Sequence, residues 1–303
     1  MRHFFVMACG AALAAFAVFW IVTVPSVVPA SALPNYSPNI ANGEVVFNAG
    51  GCASCHATSG RPRTSLGGGL ALKSPFGTFY VPNISPDPND GIGNWSEADF
   101  VTAVTKGTSP AGQHLYPAFP YTSYQKARID DVRDLFAYIK TLPPVSGRTL
   151  PHDLKFPFNI RRLVGFWKLL YLDGKPFAPN PNQTPQWNRG AYLVNALGHC
   201  AECHSPRNAL GGIVSSQRFA GGLDPEDGGW VPNITQKGLK DTSETELTDF
   251  LKNGEFSVGG SMVDVIRNTG RLSDADRAAI ASYIKSLPPV EGPPRPKKIQ
   301  KQS

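Results

Sequence analysis

The sequence predicts an all-α protein built from one small helical unit used twice behind an apolar N-terminal helix. Motifs met after residue 40 return in the same order: Val81-Pro82-Asn83-Ile84 as Val231-Pro232-Asn233-Ile234, and Leu142-Pro143-Pro144-Val145 as Leu287-Pro288-Pro289-Val290. The offsets are 150 and 145 residues, so the copies differ only by small insertions. Within each copy, apolar residues recur at helical spacing between capping and stop signals. The strand-helix alternation of an α/β fold is missing, and 303 residues suffice for two modest cores.

The chain opens on Arg2 and His3, followed by an uncharged, mostly apolar stretch over residues 4–24, then Pro25 and the small-residue run Ala30-Ser31-Ala32. Such a stretch comes close to the ~20 helical residues that a bilayer requires. The Ala30-x-Ala32 pattern offers a cleavage site instead. Residues 1–32 are therefore expected to be a signal peptide or a retained membrane anchor. Either one leaves Arg2 on the cytoplasmic side and carries the remainder across the membrane.

The first copy is expected over 40–145 and the second over 187–290. In the first, Ser96 stands three residues before Asp99, a spacing close to a capping box, and Phe100, Val101 and Val104 run on to Gly107 as the stop. In the second, Ser243 and Glu246 open a helix carrying Leu247, Phe250 and Leu251 that stops at Gly254. Val132, Leu135, Phe136 and Ile139 share one face of a closing helix, as do Ile280, Tyr283, Ile284 and Leu287, and prolines end both. The linker, 146–186, is rich in proline and asparagine and is interrupted by an apolar insert over 159–171. Packing between the two copies is the expected role of that insert, with docking to a membrane or partner as the alternative. The tail, 291–303, is basic through Arg295, Lys297, Lys298 and Lys301. A net charge of +6 without any Lys/Arg stripe gives no basis for nucleic-acid binding.

The chemistry lies in Gly51-Cys52-Ala53-Ser54-Cys55-His56 and its echo 148 residues on, Gly198-His199-Cys200-Ala201-Glu202-Cys203-His204. Two thiols three positions apart can each form a thioether to a haem vinyl, and the adjacent imidazole then faces the iron. A thioredoxin-like dithiol would follow a strand at a helix start. Zinc sites seldom place His directly after the second Cys twice over. Two covalently bound haem c groups are expected, attached at Cys52 and Cys55 and at Cys200 and Cys203. The fifth cysteine, Cys9, lies in the apolar segment, which leaves no pair for a structural disulfide. A buried porphyrin also supplies the centre that such short helices lack, so residues 57–94 are expected to be ordered around it. Haem of this kind is attached outside the bacterial cytoplasm, which agrees with the export signal and places the chain on the periplasmic side of the inner membrane, anchored or released.

The proximal iron ligands are expected to be His56 and His204. Of three methionines, Met1 and Met7 belong to the targeting segment, so Met262 is the candidate sixth ligand of the second haem. His/Met ligation raises the potential and suits outer-sphere electron transfer. The first copy has no methionine, and its corresponding loop runs from Gly112 to Tyr121. There the alternatives are ligation by His114, a five-coordinate iron, or a ligand from elsewhere. His199 and His152 read as structural.

The runs Gly50-Gly51-Cys52-Ala53-Ser54-Cys55-His56, Leu115-Tyr116-Pro117-Ala118-Phe119-Pro120-Tyr121, Pro157-Phe158-Asn159-Ile160-Arg161 and Trp187-Asn188-Arg189-Gly190-Ala191-Tyr192-Leu193 carry a further likeness. Over about residues 40–290 the chain resembles the multihaem cytochrome c subunits of membrane-bound alcohol and sugar dehydrogenases and the related small dihaem cytochromes c. It departs from the dehydrogenase subunits in having two haem runs where they have three, and Phe119 where they have Met. The resemblance implies two cytochrome c domains and a periplasmic electron carrier between a dehydrogenase or quinol-oxidising complex and a terminal acceptor such as an oxidase or another cytochrome. The rival reading is a haem enzyme that uses the first iron for small-molecule oxidation or peroxide chemistry. A gas-sensing role is disfavoured because no signalling module follows residue 290.

Overall fold

The computed structural model describes residues 1–224 and 228–295, and the basic tail lies outside them from Pro296 on. The apolar stretch forms α1 (Arg2–Val22), none of whose residues is buried. At about 1.5 Å per residue it matches the thickness of a bilayer core. The first copy contributes α2 (Ile40–Ala49), α3 (Cys52–His56), α4 (Glu97–Lys106), α5 (Tyr121–Tyr124) and α6 (Ile129–Lys140). The linker supplies α7 (Leu163–Tyr171). The second copy follows with α8 (Pro185–Tyr192), α9 (Glu244–Asn253), α10 (Met262–Thr269) and α11 (Asp274–Lys285).

Local chemistry sets these limits. Ser96 and Asp99 close a capping box on α4, and Ser243 and Glu246 do the same on α9, so each pair satisfies N-terminal amides that have no partner within the helix. Gly107 ends α4 in the left-handed conformation at φ 60°. In both copies the opening helix crosses the closing one, α2 on α6 and α8 on α11. A glycine sits at each crossing. A Cβ on Gly43 would lie 2.2 Å from the Asp134 carbonyl oxygen, and one on Gly190 would lie 1.8 Å from that of Ala279.

The repeated motifs also meet one another. Asn83 donates through Nδ2 to the Val145 carbonyl at 2.6 Å, and Asn233 donates to that of Val290 at 2.8 Å. The Val-Pro-Asn-Ile run is thereby tied to the Leu-Pro-Pro-Val run in each copy. Buried apolar residues of both copies form one continuous core, from Val46 and Phe47 through Leu193 and Val194 to Ile280 and Ile284.

The fold is mostly helical with short strands that the sequence reading did not anticipate. β1 (Ala71–Ser74) and β2 (Gly77–Tyr80) form a hairpin in register Ala71↔Tyr80, and β3 (Asp153–Leu154) from the linker pairs antiparallel with β2. β4 (Gly222–Leu223) pairs with β5 (Trp230–Val231). Backbone groups drawn toward a core need partners, and these ladders provide them in the segments that lead into Val81-Pro82 and Val231-Pro232.

The inner face of α7 packs between the copies, as expected of the insert. Lys168 is buried and donates to the Lys106 and Gly107 carbonyls at the end of α4, at 2.7 and 2.6 Å. Trp167 Nε1 donates to the Leu210 carbonyl in the second copy at 2.9 Å.

Candidate haem centres

On α3, residues at i, i+3 and i+4 share a face, so Cys52, Cys55 and His56 project together. The turn is entered through Gly51 at φ 63°. In the second copy a short 3-10 turn, Cys200–Glu202, is entered through His199 at φ 41°, a conformation that strains any residue other than glycine.

The imidazole at the end of each run is held in the same way. His56 Nδ1 lies 2.8 Å from the Pro82 carbonyl oxygen, and His204 Nδ1 lies 2.8 Å from that of Pro232. With Nδ1–H donating to a carbonyl, Nε2 keeps its lone pair for a metal. This gives the recurring Val-Pro-Asn-Ile motif a role that the repeat alone did not reveal. Gly68 makes the first cradle possible: its φ is 68°, and a Cβ there would meet the Val81 carbonyl oxygen at 2.4 Å.

Burial shapes the charge states. It pushes the His56 imidazole down to about 4, only partly offset by the Pro82 bond, and lowers His204 for the same reason, so both rings are neutral as ligands must be. Burial, with a smaller contribution from Cys55, pushes the Cys52 thiol up to about 12, and burial pushes Cys200 up to about 11. A thioether carries no charge and meets no such penalty at these buried positions. Among the described residues no disulfide joins any two cysteines, and no three His, Cys, Asp or Glu side chains gather as a zinc site requires. The four thiols and two imidazoles therefore suit covalent haem.

The expected distal residues have distinct surroundings. Met262 is the first residue of α10, half-buried and packed against the shared core. Phe119 is half-buried, its ring 5.5 Å from that of Tyr124. His114 is buried at the junction with α1, where its Nε2 lies 2.8 Å from the Thr23 carbonyl oxygen. His152 accepts the Tyr80 amide at Nδ1 and so serves the hairpin. A cavity of about 360 Å³ runs from Pro82 beside the first imidazole to Tyr116 on the distal loop, with Arg161 and His152 among its walls.

Each attachment run is bonded to the other copy. Ser54, between the first pair of cysteines, accepts from Asn268 Nδ2 of α10 at 2.7 Å. Glu202, between the second pair, accepts from Thr122 at 2.8 Å and Ser123 at 3.2 Å on α5. Tyr124 donates to the Gly50 carbonyl at 2.8 Å and sets its ring edge-on to His199 at 5.6 Å. Outside the runs, Tyr192 of α8 donates to the buried Asp131 of α6. Sequence reasoning missed Ser54, Glu202, Tyr124 and Asn268. One signal was present: the runs share Ala53 and Ala201 but differ at the next position, Ser54 against Glu202, and both of those side chains cross to the other copy.

Two family models match the chain. Residues 40–143 match the family described as Cytochrome c, and residues 185–284 match the one described as Cytochrome C oxidase, cbb3-type, subunit III. The chain is 50% identical over 256 residues to a "Diheme cytochrome c-type" protein of Cereibacter sphaeroides, covering 82% of this chain and 86% of the relative. It is 40% identical over 270 residues to the fructose dehydrogenase cytochrome subunit of Gluconobacter japonicus, 86% of this chain but 54% of that subunit. It is also 37% identical over 267 residues to the cytochrome c subunit of the alcohol dehydrogenase (quinone) of Gluconobacter oxydans, 83% of this chain but 55% of that subunit. The chain thus spans most of the dihaem relative and just over half of these two dehydrogenase subunits. Because the likeness to the dihaem relative runs through both halves at once, the chain belongs to the dihaem c-type cytochromes and carries two covalent haem c groups.

Proposed function

We propose that Cys52 and Cys55 hold the first haem with His56 on its iron, that Cys200 and Cys203 hold the second with His204, and that the chain passes single electrons from a dehydrogenase or quinol-oxidising complex to a terminal acceptor. When bound, each haem supplies a one-electron couple. The observation that carries the reading is that each attachment run is tied to the other copy, Ser54 to Asn268 and Glu202 to Thr122 and Ser123, with Tyr124 bridging Gly50 and His199. The Pro82 and Pro232 carbonyls keep each imidazole oriented and neutral. Met262, half-buried on the core, supplies sulfur to the second centre. The names of the fructose and alcohol dehydrogenase relatives support a dehydrogenase as donor.

The chain works at the periplasmic face of the inner membrane with α1 retained as the anchor. Support comes from Thr23, which is buried at the end of α1. Its carbonyl meets His114, and its hydroxyl accepts from Arg162 Nε at 2.8 Å. Arg162 also bonds the Trp20 carbonyl and stacks over the Trp20 ring. A segment destined for removal has no need of such a socket.

The same socket bears on the first iron. His114 engages Thr23 through Nε2, which leaves the buried Nδ1, without a hydrogen-bond partner, as its one atom for a metal, and Phe119 has no lone pair. With no methionine in the first copy and Phe119 on its loop, a second reading has the first centre keep an exchangeable sixth position and handle a small molecule. Carbon monoxide added to the reduced protein should then change the spectrum of about half the haem, whereas a silent spectrum supports a carrier with two closed centres.

The test of the main reading is the matured full chain. It should contain two covalent haems, and Met262→Ala should alter the axial-ligand spectrum of one of them. Fewer than two haems would overturn the attachment sites. An unchanged Met262→Ala spectrum would remove the sulfur ligand.

A further inference from the structure

We propose that the outer face of α7 and the loop before it rest in the lipid headgroup layer beside α1, so that the chain meets the membrane through a second, interfacial surface. The proposal rests on α1 being a retained anchor.

Around α7, residues turn by 100° each, which separates two opposed faces. Val164, Gly165 and Lys168 point inward and are buried. Leu163, Phe166, Leu169 and Leu170 occupy the other side, with Phe166, Leu169 and Leu170 49%, 56% and 52% exposed. Apolar residues on both faces are not the pattern of a helix at a protein-water boundary. The surface continues through the preceding loop. Phe158 is exposed and packs on Phe76, which lies against Gly211, and Leu210 beside it accepts the Trp167 bond. Contiguous exposed apolar surface of this kind marks a contact face.

Two observations identify the occupant as lipid. First, the face continues from the anchor: Arg162, one residue before α7, grips Trp20 and Thr23 at the end of α1. The start of α7 is therefore held at the level where α1 leaves the bilayer, the depth at which short amphipathic helices settle. Second, no acidic residue occurs between Lys155 and Leu172, whereas Lys155, Arg161 and Arg162 are basic. Such a segment is compatible with anionic headgroups.

The test uses the haem-loaded full chain in liposomes containing a phospholipid with a photoactivatable diazirine in its acyl chain. After illumination, lipid adducts are mapped by peptide mass spectrometry. Adducts are expected on α1 and on residues 156–171, and absent from the capped helix α9. In Phe166→Glu/Leu169→Glu/Leu170→Glu, whose substituted residues are exposed, adducts on 156–171 should fall to the α9 level while those on α1 persist. Adducts confined to α1 in the parent chain would overturn the proposal and leave the anchor standing, the surface then facing solvent or protein. Absence of adducts from α1 as well would show that the anchor reading itself had failed.

Discussion

Replacing Glu202 by alanine removes the carboxylate that links the second attachment run to the first copy. Its Oε1 accepts from Thr122 at 2.8 Å and Ser123 at 3.2 Å, and its Oε2 pairs with Arg207 at 2.7 Å. Only 26% of the Arg207 side chain and 13% of that of Glu202 are exposed. The pair therefore falls outside the surface class worth ~0–1 kcal/mol, and removing one partner of a shielded pair costs about 3–5 kcal/mol. Arg207 keeps the Gly211 and Glu202 backbone carbonyls as acceptors, which places the loss at the lower end, about 3 kcal/mol. For a domain pair of this size that corresponds to a fall in Tm of roughly 6–12 °C. Thermal unfolding of the haem-loaded chain at neutral pH, followed by circular dichroism, measures it. Glu202→Gln keeps an oxygen for Thr122 and Ser123 and should lose about half as much. If both variants melt within about 1 °C of the parent at equal haem content, the contact between the second run and α5 contributes nothing and the reasoning fails.

Other outcomes follow from the same geometry. Gly190→Ala puts a methyl 1.8 Å from the Ala279 carbonyl oxygen and Gly43→Ala one 2.2 Å from that of Asp134. Each should lose about 1–3 kcal/mol in urea unfolding, Gly190→Ala the more, and an unchanged midpoint would contradict the tight crossings. Asp131 is held below its ordinary value: burial alone would raise it, but hydrogen bonds from Arg128, Tyr192 and Asn42 outweigh burial. Its contribution is thus present above the ordinary carboxylate range and lost as pH falls through the lower folded value, so Asp131→Asn should flatten the acid limb of stability against pH. A variant with the parent's acid dependence would exclude Asp131 as its source. His114→Leu should leave both haem spectra intact while costing about 1–3 kcal/mol through the unpaired Thr23 carbonyl. A changed spectrum would make His114 an iron ligand after all.

The helices legible in the sequence were those whose signals are local. Ser96 with Asp99 and Ser243 with Glu246 announce their helix starts, and the faces of α6 and α11 show in their spacing. Both haem runs were equally plain. What escaped depends on distance along the chain. The bond between Ser54 and Asn268 spans 214 residues and that between His114 and Thr23 spans 91, so neither leaves a local pattern. The Pro82 carbonyl gives no sign of its role, because any residue has a carbonyl and only the fold decides which one meets His56. The insert at 159–171 was readable as apolar. A helix apolar all round does not say which side its neighbours will cover, and here the copies cover one side only.

The coupling of the two centres across the interface between the copies is most directly tested by injecting one electron per molecule with a light pulse and following both haems as it redistributes. Expected is a first-order exchange between the two centres whose rate does not change with protein concentration and which slows in Glu202→Ala. An exchange whose rate rises in proportion to protein concentration would mean that electrons pass between molecules, and the interface between the copies would not be the route.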